Sequence, residues 1–142
     1  MAGKTLYDTD FAEWSAITAN LIRAGRFTEI DAENVAEEIE SLGRAERKAV
    51  RSQLQRLMTH KLKQQLQPER ESKSWRASIA GARERILDEI EDAPSLKGHL
   101  RDNLERVYRL ALAEALRETG KPGNNLPGKC PWDLDTLLES ET

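Results

Sequence analysis

A run of glutamates, a run of arginines and lysines, and two histidines are the residues whose types and spacing could support chemistry. Carboxylates one helical turn apart, such as Glu33 with Glu37 or Glu37 with Glu40, could share a proton or a metal ion. The di-iron bundle motif, however, is Glu-x-x-His, and a leucine stands three residues before both His60 and His99. We therefore interpret the glutamates as a solvated helix face, and predict no metal site and no cofactor.

A basic stretch follows this acidic one. Residues 29–42 contain six acidic and no basic residues, whereas residues 44–63 contain seven basic residues and one acidic residue. Arg44, Arg47, Lys48 and Arg51 recur at helical spacing and would share one face. Such a stripe could contact nucleic-acid phosphates or form ion pairs within the chain, and a net charge of -3 opposes binding of a polyanion. The candidate interaction faces are therefore Glu33, Glu37 and Glu40 on the acidic side and these four cations on the basic side.

Cations, an imidazole and an indole surround one predicted turn between two helices. They are His60, Lys63, Arg70, Ser74, Trp75 and Arg76. A titratable imidazole beside cations and an aromatic ring suits an anionic ligand or a peptide carboxylate. Trp75 could instead be the first core residue of its helix, and His60 could simply hydrogen-bond to a loop carbonyl. The turn is the candidate pocket, and no residue is assigned a catalytic role.

A single cysteine, Cys130, excludes an intramolecular disulfide and is compatible with a reducing compartment. Both histidines are remote from it in sequence, so we expect it to pack rather than to react. A Gly-rich phosphate loop, a Gly-x-Ser-x-Gly elbow and a His-Glu-x-x-His motif are all missing from the sequence. These observations favour a protein that is not an enzyme.

The elements that would position these residues are helices, because strong helix formers dominate and aromatic residues make up only 5% of the chain. The first helix should begin at Asp8 or Asp10 and bury a stripe formed by Phe11, Trp14, Ile17 and Leu21. A helix of about 35 residues should follow between Asp31 and Pro68, with Gly43 as its one possible hinge.

Two further amphipathic helices should follow. One should start near Ser72 or Ser74 and stop before Pro94, and the other should run from a cap at Ser95 to Gly120. Residues 120–142 then form a loop-rich strap with a short helix capped by Asp133. The prediction is one all-α domain over residues 1–142, an up-down antiparallel bundle of about four helices with one long helix, an irregular C-terminal strap and a short terminal helix.

Several short motifs resemble a known family. They are Tyr7-Asp8-Thr9-Asp10-Phe11 with Trp14, residues 34–43, His60-Lys61-Leu62-Lys63, Gln67-Pro68-Glu69-Arg70, Ser74-Trp75, Pro94-Ser95-Leu96, Glu118-Thr119-Gly120 and Cys130-Pro131-Trp132. On these residues the chain resembles the bacterial family catalogued as domain of unknown function twenty-nine, over nearly its whole length. The resemblance implies an all-helical bacterial protein and supplies no catalytic residues.

The leading hypothesis is a non-enzymatic helical module of the bacterial cytoplasm that binds a partner protein or a second copy of itself. The start of the chain lacks the apolar region of a signal peptide, and no run reaches the roughly 20 apolar residues that span a bilayer, so we expect no membrane partner. One alternative is binding of nucleic acid or another polyanion through the basic face. The other is a small enzyme with its site near His60 and Trp75.

Overall fold

The computed structural model describes residues 5–139, and every regular element within that range is helical. The α helices are α1 (Leu6–Thr9), α2 (Phe11–Arg23), α3 (Ala32–Leu66), α4 (Lys73–Asp92), α5 (Ser95–Asp102), α6 (Leu104–Thr119) and α7 (Leu134–Leu138). Short 3₁₀ turns at Phe27–Glu29 and Pro68–Arg70 lie on either side of α3. The predicted all-α class is confirmed. Across the described range, the helices lack the combination of length and apolarity needed to cross a membrane.

Side-chain caps set several helix starts where the sequence predicted them. Asp10, Ser72 and Asp133 each accept a hydrogen bond from the backbone amide three residues later, at 3.0, 3.2 and 2.8 Å. Gly25 follows the end of α2 with a φ of 74°, a conformation that glycine adopts without steric cost. For the start of α2 the sequence left Asp8 and Asp10 open, and the hydrogen bond from the Glu13 amide identifies Asp10 as the cap.

The long central helix is also confirmed. Helix α3 has 35 residues and continues through Gly43 without a break. Good helix formers on both sides of this glycine offset its unfavourable helix propensity of about 1 kcal/mol.

The predicted helix from Ser95 to Gly120 is wrong in one respect, because it is divided into α5 and α6. Asn103 interrupts it, with backbone angles of -106° and 7°. Its side-chain amide donates to the backbone carbonyl of His99 at 2.8 Å. The Asn103 side chain therefore binds a backbone carbonyl near the end of α5. The expected cap at Ser95 is also absent, since Pro94 holds the capping position and makes no side-chain cap bond.

The described residues form two compact units, with the boundary between Arg44 and Ala45 inside α3. We call them the N-terminal unit (residues 5–44) and the C-terminal unit (residues 45–139). That residues 1–142 fold as a single domain stays a prediction.

The hydrophobic core lies in the C-terminal unit. Helices α3 to α7 supply its buried side chains, which are Val50, Leu54, Leu57, Met58, Leu62, Ile79, Ala82, Ile86, Leu96, Leu100, Val107, Tyr108, Ala111, Ala115, Leu134, Leu137 and Leu138. Arg83 is also buried and donates from Nε to the carbonyl of Leu137 at 3.0 Å. This bond ties α7 to α4.

Tyr108 is one of the residues that fix the predicted irregular strap to this core. The hydroxyl of Tyr108 donates to the carbonyl of Pro127 at 2.6 Å, and burial raises the pKa of that hydroxyl. The ring of Trp132 meets the ring of Tyr108 edge to face, with centroids 6.0 Å apart. The loop therefore follows the core surface although it has no regular structure.

The N-terminal unit has no comparable core. Thr18 is its one buried residue among those described. The predicted burial of the α2 stripe is wrong for Phe11 and Ile17, which are exposed, while Trp14 and Leu21 are half-buried. Amphipathic spacing predicts which side chains share a helix face, but it does not supply an element to cover that face.

Candidate interaction surface

Seven large apolar side chains of the N-terminal unit are exposed. We call them the N-terminal apolar set: Leu6, Phe11, Ile17, Ile22, Phe27, Ile39 and Leu42. Phe27, Ile39 and Leu42 are 64%, 63% and 73% exposed, and the last two are adjacent on α3 at a spacing of three residues. In the described part of the C-terminal unit, large apolar side chains are exposed at Leu87 and Leu110. Single exposed apolar residues are ordinary, but seven in one small unit form a concentration that the C-terminal unit does not show among its described residues.

An aromatic cluster and one hydrogen bond organise this unit. The ring of Tyr7 contacts the rings of Phe11 and Trp14, with centroids 6.0 and 4.7 Å away. The Tyr7 hydroxyl donates to the Glu38 carboxylate on α3. This hydrogen bond, with burial and the charge of Glu38, raises the pKa of Tyr7 to about 12. The bond links α1 to α3.

The N-terminal unit is strongly acidic. Its described residues include nine carboxylates and three arginines, a balance of -6. Arg26 pairs with Glu29, and Arg44 pairs with Glu37 at 2.7 Å and with Glu40 at 3.7 Å. Carboxylates also border the apolar set, since Glu13 precedes Ile17 and Glu38 precedes Leu42 by one helical turn.

The residues of the two predicted interaction faces differ in their surroundings. Glu33, Arg47 and Lys48 are exposed. Glu37 and Glu40 are exposed too, but both bind Arg44 on the same helix. Arg51 is half-buried and contacts His99 of α5, with 2.9 Å between Nη1 and Nε2. The function of these faces stays a prediction.

A small groove between α3 and α6 is lined by three cations of the C-terminal unit. We call it the cationic groove: Lys48, Arg51 and Arg106 line it together with Val107 and Leu110, and its volume is about 150 Å³. Burial and the charge of the Arg51 guanidinium lower the pKa of His99 beside it. The Arg51 guanidinium can only donate, so Nε2 of His99 is its acceptor, and this contact holds the cation at the groove.

The predicted pocket is only partly assembled. The Lys63 ammonium lies 5.1 Å from the Trp75 ring centroid and 3.1 Å from a Glu118 carboxylate oxygen. Arg76 binds Glu71 instead. Arg70 is exposed in the 3₁₀ turn, and Ser74 lines a separate cavity of about 290 Å³ with Arg56 and Arg85.

His60 and Lys63 do share a cleft, of about 480 Å³, between α3 and α6. Its other charged members are Arg56, Glu114 and Glu118, which the sequence analysis missed. The spacing of Glu114 and Glu118, four residues apart on a helix that also has an apolar face, was the available signal. His60 Nδ1 lies 2.9 Å from the carbonyl of Arg56, so its backbone partner is a carbonyl of its own helix and not the loop carbonyl that the sequence analysis allowed.

Cys130 has the surroundings of a packed thiol. Its sulfur donates to the carbonyl of Trp132 at 3.2 Å, and its amide donates to the carboxylate of Glu105 at 3.1 Å. Burial raises the pKa of the thiol, which disfavours the thiolate. Over residues 5–139, no group of three or more histidine, cysteine or acidic side chains is placed to hold a metal ion.

The whole-chain comparison identifies the family. Residues 6–142 match the model of the family described as domain of unknown function DUF29. The chain belongs to the DUF29 family. No curated protein and no solved structure matches it. The DUF29 description names no activity, so the function has to be inferred from the geometry.

Several motifs that carry the DUF29 resemblance contact one another. In the N-terminal unit, Tyr7 of the first motif binds Glu38 of the second. In the C-terminal unit, Lys63 lies over Trp75, and the Lys61 ammonium is 5.7 Å from the Trp132 ring centroid. These DUF29 motif residues thus hold helices and the strap together.

Proposed function

We propose that this DUF29 chain is a helical protein-interaction module of the cytoplasm, and that its N-terminal unit supplies the surface that binds another protein. The observation that supports this is the N-terminal apolar set, seven large side chains exposed in a unit whose one buried residue among those described is Thr18. Burial of such side chains against a partner is favourable by about 25 cal/mol per Å² of apolar surface. A partner would therefore provide the core that the unit lacks.

Site-specific photocrosslinking in the native host tests the proposal. A photoreactive phenylalanine analogue is placed at Leu42 and, as a matched control, at Leu87, which is an exposed leucine of the C-terminal unit. We expect a discrete crosslinked protein product at position 42 that is absent at position 87. The same analogue is then placed at Ile39 and at Phe27, which are also exposed. Equal products at positions 42 and 87, or no product at positions 42, 39 and 27, would exclude the N-terminal unit as the binding surface.

Nucleic-acid binding is a second candidate, and the cationic groove favours it because Arg106 of α6 joins Lys48 and Arg51 of α3. Clustered cations suffice for contacts with phosphates, and such binding falls steeply with salt. A mobility shift assay at low salt tests it, with Lys48→Glu, Arg106→Glu as the variant. Absence of a shift for the unsubstituted protein excludes this function. An enzyme site near His60 and Trp75 stays a prediction.

A further inference from the structure

The occupant of the N-terminal apolar set can be identified from the charge that surrounds it. The described N-terminal unit carries nine carboxylates and three arginines. Two of those arginines are already paired with carboxylates of the same unit. An occupant must therefore combine an apolar surface with positive charge, because a second acidic unit would be repelled.

The C-terminal unit carries such a surface. Its described residues include eighteen basic and fifteen acidic side chains, a balance of +3. Three cations line the cationic groove together with Val107 and Leu110, and the described residues that line it include no carboxylate. Leu110 is 49% exposed, so an apolar side chain from another molecule can pack against it.

We infer that the N-terminal unit of one copy docks on the cationic groove of a second copy of this chain. In this contact Ile39 and Leu42 pack on Leu110, while carboxylates beside them face Lys48 and Arg106. The inference rests on the proposed function and names its partner. Because the contact joins two different surfaces, it is a heterologous contact.

Sedimentation velocity over a range of protein concentrations tests the contact, at about 50 mM and about 500 mM salt. The unsubstituted protein should self-associate at low salt and dissociate at high salt. Two variants should each weaken association at least about ten-fold: Ile39→Glu, Leu42→Glu in the N-terminal unit, and Lys48→Glu, Arg106→Glu in the groove. Leu87→Glu is the matched control, and it should associate like the unsubstituted protein. All substituted side chains are exposed, so circular dichroism should show unchanged helix content.

Mixing the two variants is the decisive step. Each variant retains the surface that the other has lost, so an equimolar mixture should form a one-to-one complex although each variant alone is monomeric. A monomeric unsubstituted protein at low salt overturns the inference, and so does a mixture without the complex. If only the N-terminal variant is monomeric, that unit pairs with itself and the groove is not its partner. A groove that instead shifts nucleic acid, in a protein that stays monomeric, also overturns it.

The photocrosslinking result separates this inference from the proposed function. A crosslink from position 42 to a different protein, with no self-association in solution, removes the second copy as the partner and leaves the interaction module in place. A crosslinked product of twice the mass of the chain supports both. Failure of both experiments removes both.

Discussion

Helices in both units carry apolar side chains at helical spacing, but those side chains end in opposite environments. In the C-terminal unit Val50, Leu54 and Leu57 of α3 are fully buried, because α4 to α7 pack around them. In the N-terminal unit Ile39 and Leu42 of the same helix are exposed. The two units also differ in charge, -6 against +3 over their described residues. The C-terminal unit therefore contains the hydrophobic core, whereas the N-terminal unit exposes large apolar side chains to solvent.

Truncation of one leucine in each unit should give the largest contrast. Leu54→Ala should lower the free energy of unfolding by about 2–5 kcal/mol, because it leaves a cavity in the core. Leu42→Ala should change it by less than about 0.5 kcal/mol, since Leu42 already contacts water. Urea unfolding followed by circular dichroism measures both, at a salt concentration where the protein is monomeric. A comparable loss for Leu42→Ala would show that this side chain is buried in the monomer.

A buried arginine should show where the C-terminal unit gains its stability. Arg83→Leu should cost about 1–3 kcal/mol in the free energy of unfolding, because the Leu137 carbonyl loses its hydrogen bond. The neighbouring Arg85 is exposed, so Arg85→Leu is the control and should be nearly neutral. Equal effects of the two substitutions would mean that the bond to α7 contributes nothing.

His99 should make the C-terminal unit sensitive to mild acid. Its pKa in the folded protein is lowered by burial first and by Arg51 second. The unfolded chain therefore takes up this proton at a higher pH than the folded chain, and stability is lost as the pH falls through about 6.5 toward the lowered pKa. Urea midpoints between about pH 7.5 and about pH 5.5 should fall more steeply for the unsubstituted protein than for His99→Gln. Parallel curves would contradict this.

The smallest effect concerns the N-terminal unit and is spectroscopic. The hydrogen bond that the Tyr7 hydroxyl donates to the Glu38 carboxylate raises the pKa of Tyr7 to about 12. In Glu38→Gln the carboxylate charge is gone, so the Tyr7 pKa should move toward the ordinary value of about 10. The difference in ultraviolet absorbance between this variant and the unsubstituted protein, followed through alkaline pH, isolates Tyr7 from Tyr108. A superimposable pair of titrations would show that the bond does not form in solution.

Local signals sufficed for much of the fold. Asp10, Ser72 and Asp133 cap helices because the first backbone amides of a helix lack acceptors within the helix. Each of these side chains accepts from the amide three residues later. A short polar residue before an apolar periodic segment is visible in the sequence. The break at Asn103 was missed because a side chain that competes for a nearby carbonyl looks the same in a sequence as one that points to solvent.

The candidate surfaces were harder to predict. Periodicity places Phe11 and Ile17 on an apolar face, but whether that face is covered depends on packing between elements distant in sequence. The cationic groove also depends on packing between distant elements. Arg106 is more than 50 residues from Arg51 in the chain, and only folding brings both to one cavity. The acidic and basic runs can be seen in the sequence, whereas the residues that pack beside them in the fold cannot.

The position of α7 has a consequence for synthesis on the ribosome. Leu134, Leu137 and Leu138 are buried in the core and the Leu137 carbonyl satisfies Arg83, so closure of the core waits for nearly the last described residues to emerge. The N-terminal unit, with its apolar side chains, leaves the ribosome long before then. A translation product that stops short of Leu134 would carry an open core and would lack the carbonyl that binds Arg83, which makes it a ready substrate for proteolytic quality control.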